Sequence, residues 1–217
     1  RDSYIVNPGG TGILIPVSRA NDSGIGTQLG ASENFTARLL WTDNANRIAT
    51  NSNISQIHII GTGSSAYLLV KQGSASGNAV VEIKNASNTT LWSWHIWVTD
   101  YTPVALGTGK FMDRNLGAIG NTPSAAATKG LLYQFGRKDP FPGSSTLTGT
   151  DEPTLYTASG TISVTRAQVS VANNLGNAIA NPFIFYYLAA DPRDWYSNSG
   201  VRSDALWGPA SKTVYDP

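Results

Sequence analysis

The stretch LWSWHIWVTDY at residues 91–101 constrains the fold more than any other part of this 217-residue chain. Trp92, Trp94, Ile96 and Val98 share one face of a period-two strand, and Ser93, His95, Trp97 and Thr99 share the other. Large rings therefore stand on both faces. A strand wetted on one side would alternate cleanly between apolar and polar, so this one should be covered on both sides or lie at a contact between two domains. Three indoles, each burying roughly 150–250 Å², would make it the energetic centre of the fold. It ends at Pro103, which has no N–H to give a β-ladder, and the domain boundary is placed there.

Composition narrows the class. Charged residues make up 13 % of the chain and glycines number 22, a profile of β-rich extracellular proteins rather than helical ones. A net charge of +1 gives no polyelectrolyte reason to bind nucleic acid, and no run of Lys or Arg invites an anionic membrane. Cysteine is absent, which excludes disulfides, thiolate metal sites and thiol nucleophiles. No apolar run approaches the roughly 18–20 residues of a membrane span. The opening RDSYIV has neither an initiator Met nor signal-peptide anatomy, and the chain stops at Tyr215-Asp216-Pro217; both ends read as those of a processed or excised piece.

Before residue 103 the pattern predicts seven short strands, at 4–6, 13–17, 35–42, 56–60, 67–71, 80–84 and 90–99. Seven strands in a hundred residues suggest a β-sandwich spanning 1–102. Phe35, Ala37, Leu39 and Trp41 should face the central indoles, and 85–89 should form a hairpin loop. After residue 103 the texture changes to Ala and Gly clusters, and 103–217 reads as an α+β domain. Residues 111–116 are strand-like. Residues 124–135 place Ala127, Leu131 and Phe135 at helical spacing behind Ser124 as cap, and 165–180 predicts a second helix interrupted near Asn173 and Gly176. GRKDPFPG at 136–143 predicts a rigid surface loop, and FIFYYLA at 183–189 a buried strand.

Candidate chemistry is sparse. IHIIGTGSSA at 57–66 matches a dinucleotide-binding fingerprint, but strand-like residues 67–71 follow where a helix must open, so the segment reads as a hairpin turn. Gly107-Thr108-Gly109-Lys110 lacks the rest of a phosphate loop and reads as a linker turn. His58 and His95 lie in mid-strand, and no GxSxG elbow is present. Asp139, Asp151, Glu152, Asp191 and Asp194 could supply the paired carboxylates of a glycosidase, but sequence spacing does not give their separation. The most site-like patch is 186–196, where Tyr187, Trp195 and Tyr196 adjoin Asp191, Arg193 and Asp194, as in surfaces that stack on sugars or hold peptide side chains. The competing reading buries Trp195 in the core and leaves the charges on a turn. Asp191 and Asp194 lack the dense alternating oxygens of a calcium loop, so no metal or cofactor is expected. Asn34, Asn53, Asn85 and Asn88 stand in N-x-S/T sequons.

Six motifs in one order, MDRNLGA (112–118), GLLYQFGRKDPFPG (130–143), AIANPF (178–183), Asp194-Trp195-Tyr196, Leu206-Trp207-Gly208 and KTVYDP (212–217), resemble the FISUMP-type major paralogous domain of fimbrillin-like surface proteins of gut anaerobes. The resemblance covers about 79–217; the first 78 residues match only in texture. It implies a C-type-lectin-like second domain, a cell-surface or fimbrial location, and an adhesive or assembly role without catalytic residues. In that family YDP continues into further sheet, so the second domain is expected to be incomplete at Pro217. The partners this implies are other surface or fimbrial subunits, joined by strand addition, or a glycan or host protein. No lectin-type calcium and sugar motif is present, so sugar binding does not follow from the fold. A structural subunit of a fibre or shell and a glycan-acting surface enzyme are the alternatives.

Overall fold

The computed structural model describes residues 2–21, 29–149, 151–169, 174–189 and 194–196. The chain is mainly β, built from several sheets, none of them closed. Its strands are β1 (Ser3–Val6), β2 (Ile13–Pro16), β3 (Thr36–Thr42), β4 (Ile54–Ile60), β5 (Tyr67–Gln72), β6 (Gly77–Lys84), β7 (Thr90–Val98), β8 (Val104–Leu106), β9 (Gly109–Phe111), β10 (Leu155–Tyr156), β11 (Thr161–Ile162), β12 (Thr165–Gln168) and β13 (Ile184–Tyr187). Among the described residues one α-helix, α1, covers Asn174–Ala180. All seven strands expected before residue 103 form, displaced by a few residues at their ends.

Six strands make the main sheet in the order β1-β7-β6-β3-β10-β11, and β2-β5-β4 make a second, antiparallel sheet. A shared apolar interior joins the two. Trp92, Trp94, Ile96 and Val98 of β7 and Ala79, Val81 and Ile83 of β6 point into it, and Ile15, Ile54, Leu68 and Val70 meet them from the smaller sheet. The period-two pattern dictates this arrangement, because one register step would turn every one of these side chains to the opposite face. β7 is buried at all nine positions, so the expectation of cover on both faces holds.

Trp41 departs from the expected alternation. The β3–β6 register shifts between Leu39 and Trp41, so Leu39 pairs with Val81 while Trp41 pairs with Val80. A bulge of this kind inserts one residue and reverses the facing of all that follow. Ala37 and Leu39 accordingly join the interior with the indoles, whereas Trp41 turns outward and packs with Leu40, Val80, Leu155 and Phe183. The ring centroids of Trp41 and Phe183 are 5.9 Å apart.

The hairpin readings hold. Ile60 pairs antiparallel with Tyr67 across the Gly61–Ala66 turn, which rules out a nucleotide-binding helix there. Gly107 and Thr108 turn β8 into β9. Asn88 sits at φ 61° in the 85–89 loop, the left-handed region that Asn tolerates better than most residues.

Beyond residue 103 five expectations fail, the first at 111–116, where the strand β9 ends at Phe111. The predicted 124–135 helix is a single 3₁₀ turn at Ala126–Thr128, after which Leu132 bridges to Phe141. Gly130 explains this, since a Cβ there would stand 2.1 Å from the Leu116 carbonyl oxygen; the chain is held against another backbone segment rather than coiled on itself. Residues 165–180 split into β12 and α1, and β12 pairs in parallel with β13, so α1 lies within the crossover between two parallel strands. The expected strand at 183–189 shortens to β13, of which only Tyr186 is buried. The 136–143 loop is no surface feature: Arg137, Asp139 and Phe141 are all buried.

The second half is also tied to the main sheet. β10 pairs with β3 through Tyr156 and Thr42, extending the sheet past its first-half edge.

Candidate functional site

The outer face of β7 is covered by loops 113–143. Ser93 Oγ donates to Asp139 Oδ1 at 2.7 Å, and Lys138 Nζ bonds the Ser93 carbonyl at 3.0 Å and Asp139 Oδ1 at 2.8 Å. Trp97 Nε1 donates to the Ala118 carbonyl at 3.2 Å, and Arg114 Nη1 to Thr99 Oγ1 at 3.1 Å. Arg114 also grips Asp113 with two bonds of 2.8 Å and Asp100 with one, and its pKa is raised, chiefly by the Asp113 bond. Arg137 donates from its Nη atoms to the carbonyls of Ile184, Asn181 and Pro182, locking the end of α1 and the start of β13. Burial lowers its pKa. These groups are consumed by structure: Asp139, a carboxylate proposed for acid–base work, holds two halves of the molecule together.

His95 behaves likewise. It is buried, its Nε2 lies 3.0 Å from Asn78 Oδ1, and desolvation lowers its pKa to about 3. The same Asn78 gives its Nδ2 to the Gly117 carbonyl and to Asp43 Oδ2, each at 2.8 Å, and its backbone N–H to Asp43 Oδ1 at 2.8 Å. Burial raises Asp43 to about 6, against the lowering effect of those bonds. Gly77 is required beside it, because a Cβ there would lie 2.6 Å from Asp43 Oδ1. Asn53, in one of the four sequons, is fully buried and bonded through Nδ2 to the Asn78 carbonyl at 2.8 Å, which leaves no room for a glycan.

Two concavities flank the place where 116, 130 and 143 meet backbone to backbone. A Cβ on Gly143 would lie 2.2 Å from the Gly130 carbonyl oxygen, so glycine alone permits this wall. The larger concavity, a groove of about 1040 Å³, has walls of Leu116, Leu132, Tyr133, Phe141 and Phe185, with Gln134, Glu152 and Arg166 among its polar groups. Leu116, Leu132 and Tyr133 are exposed there. The smaller, about 340 Å³, has Asp43, Ser76, Asn78, Lys129, Pro142 and Ser144 in its lining.

Of the patch read from sequence, Tyr187, Asp194, Trp195 and Tyr196 are described, and Asp191 and Arg193 lie outside the described residues. Tyr187 is exposed at the end of β13, whereas Trp195 is buried and donates Nε1 to the Phe135 carbonyl at 2.6 Å. Asp194 Oδ1 accepts the Tyr196 N–H at 3.0 Å, a local turn bond. Trp195 thus follows the core reading. Asp43, Lys129 and Tyr133 were not singled out in the sequence; a lone Asp after a strand carries no spacing signal.

Among the described residues no group of three or more His, Asp or Glu side chains could hold a metal, and no helix is long and apolar enough to cross a membrane. Comparison of the chain with protein-family models, curated proteins and solved structures returns no match.

Proposed function

We propose that the chain is a non-enzymatic recognition module of the cell-surface adhesin or fimbrial kind, a β-sandwich carrying a lectin-like second half, with its ligand taken in the groove bounded by Leu132, Tyr133 and Phe185. The groove itself is the observation that carries this reading. It is concave, largely apolar, and set with a few polar groups, as ligand sites are. Its aromatic walls suit stacking on a glycan or on a peptide side chain. Of the carboxylates considered for catalysis, Glu152 is the one among those described that lines it, so no two described carboxylates of that set share the groove. Open sheets favour partner subunits that add a strand, because edge N–H and C=O groups remain to be paired.

The test is binding by the soluble chain to a glycan array and to a panel of extracellular host proteins, repeated with Tyr133→Ala and Leu132→Ser. Both positions are exposed, so the variants should fold. The reading predicts saturable binding that both variants abolish. Obligate polymers in sedimentation would favour the fibre-subunit alternative, and turnover of a polysaccharide would replace adhesion with catalysis.

A further inference from the structure

We propose that the smaller cavity is a binding site for a compact zwitterion of the free α-amino acid class, with Asp43 receiving the ammonium group and Lys129 the carboxylate. This does not depend on the adhesin reading: Asp43 lines this cavity and not the groove, whereas Lys129 lines both.

Two opposite charges line one small space without meeting. Asp43 accepts hydrogen bonds from Asn78 Nδ2, from the Asn78 backbone N–H and from its own backbone N–H, and among the described residues no cation pairs with it. A carboxylate has about four acceptor sites, so it is not saturated. Lys129 is half-buried in the same lining and, among the described residues, forms no ion pair and makes no side-chain hydrogen bond. A half-buried charge of each sign, held apart by the fold, is favourable only when something completes both. A molecule with an ammonium and a carboxylate on one short frame does so, and charge-assisted hydrogen bonds of that kind are the strong ones.

The rest of the lining agrees. Trp41 contributes a fully buried indole to the wall. Ser76 and Asn44 add polar groups, while Ile119, Leu131 and Pro142 offer a modest apolar surface for a small side chain. At about 340 Å³ the space is at the lower end of ligand pockets, which suits a small amino acid rather than an oligosaccharide.

The experiment is calorimetric titration of the full chain with L-alanine and L-serine, beside N-acetyl-L-alanine, which lacks the ammonium, and L-alaninamide, which lacks the carboxylate. Asp43→Asn and Lys129→Gln are titrated in parallel, with thermal melts to confirm folding. Saturable binding of the amino acids is expected at millimolar concentration or below, weakened at least about tenfold by either blocked derivative and by either variant. Among the described residues Lys129 bonds no other side chain, so its variant remains decisive if Asp43→Asn unfolds the protein. No binding of either amino acid, equal binding of all four compounds, or wild-type affinity in Lys129→Gln would overturn the proposal.

Discussion

The two faces of β7 are solved by different means. The inner face is packed by area: Trp92, Trp94, Ile96 and Val98 sink into an interior with Ile15, Leu68 and Val70 opposite. The outer face is held largely by direction: Ser93, His95, Trp97 and Thr99 each make a side-chain hydrogen bond, reaching Asp139, Asn78, Ala118 and Arg114 in turn. Area burial is tolerant of detail, whereas a buried hydrogen bond that loses one partner leaves the other desolvated. A single strand can thus anchor a sheet-on-sheet core and a cover of irregular loops, provided its alternate positions carry the two chemistries.

Truncation on the inner face should have the largest effect. Trp94→Ala removes a fully buried ring and is expected to cost about 3–5 kcal/mol in urea unfolding. A loss below 1 kcal/mol would mean that the inner face is not the principal core.

The pH dependence of the polar network comes next. His95, lowered from 6.5 to about 3, takes up its proton in the unfolded chain first, so its contribution is whole above pH 6.5 and is lost as pH falls towards 3. Asp43, raised from 3.8 to about 6, has the opposite sign: its contribution is whole below pH 3.8 and is lost as pH rises through 6. Between pH 6 and 4 the two slopes oppose each other. His95→Gln should therefore gain stability on acidification over that range and Asp43→Asn should lose it, each diverging from the parent by about 3 kcal/mol at pH 4. Parallel curves for all three proteins would show that the network does not titrate as its burial implies.

Asp139→Ala removes the acceptor of the Ser93 hydroxyl and the counter-charge of Lys138, which keeps its bonds to Ser93, at a cost of about 2 kcal/mol in the same unfolding measurement. Trp97→Phe, which keeps most of the ring area and forfeits the bond to Ala118, should cost only about 1 kcal/mol. If Trp97→Phe proved more damaging than Trp94→Ala, the contrast between the faces would have to be reversed.

The same contrast explains what could be read in the chain. Inner-face residues announce themselves by alternation, so β1 to β7 and the 85–89 hairpin follow from residue pattern alone. Trp41 escaped because a one-residue bulge leaves no mark in an apolar run such as Leu39-Leu40-Trp41. In the second half, helical spacing of Ala127, Leu131 and Phe135 was overridden by the backbone contact at Gly130, a tertiary effect with no local signal. β12 likewise carried little signal, since Thr165 is its one β-branched residue and its parallel pairing with β13 is what makes it a strand. The groove and the Asp43 cavity are formed by residues distant in sequence and meeting through loops, so neither had a motif to find.

The absence of cysteine allows both faces of β7 to be probed directly, one thiol at a time. Ser93→Cys and Ile96→Cys should each resist maleimide in the native protein, reacting at least roughly a thousandfold more slowly than Thr102→Cys, because labelling then requires unfolding. Rapid labelling of Ser93→Cys, in a protein whose Ile96→Cys stays protected, would contradict the account: the outer face would be open to solvent, and the loops of the second half would not cover it.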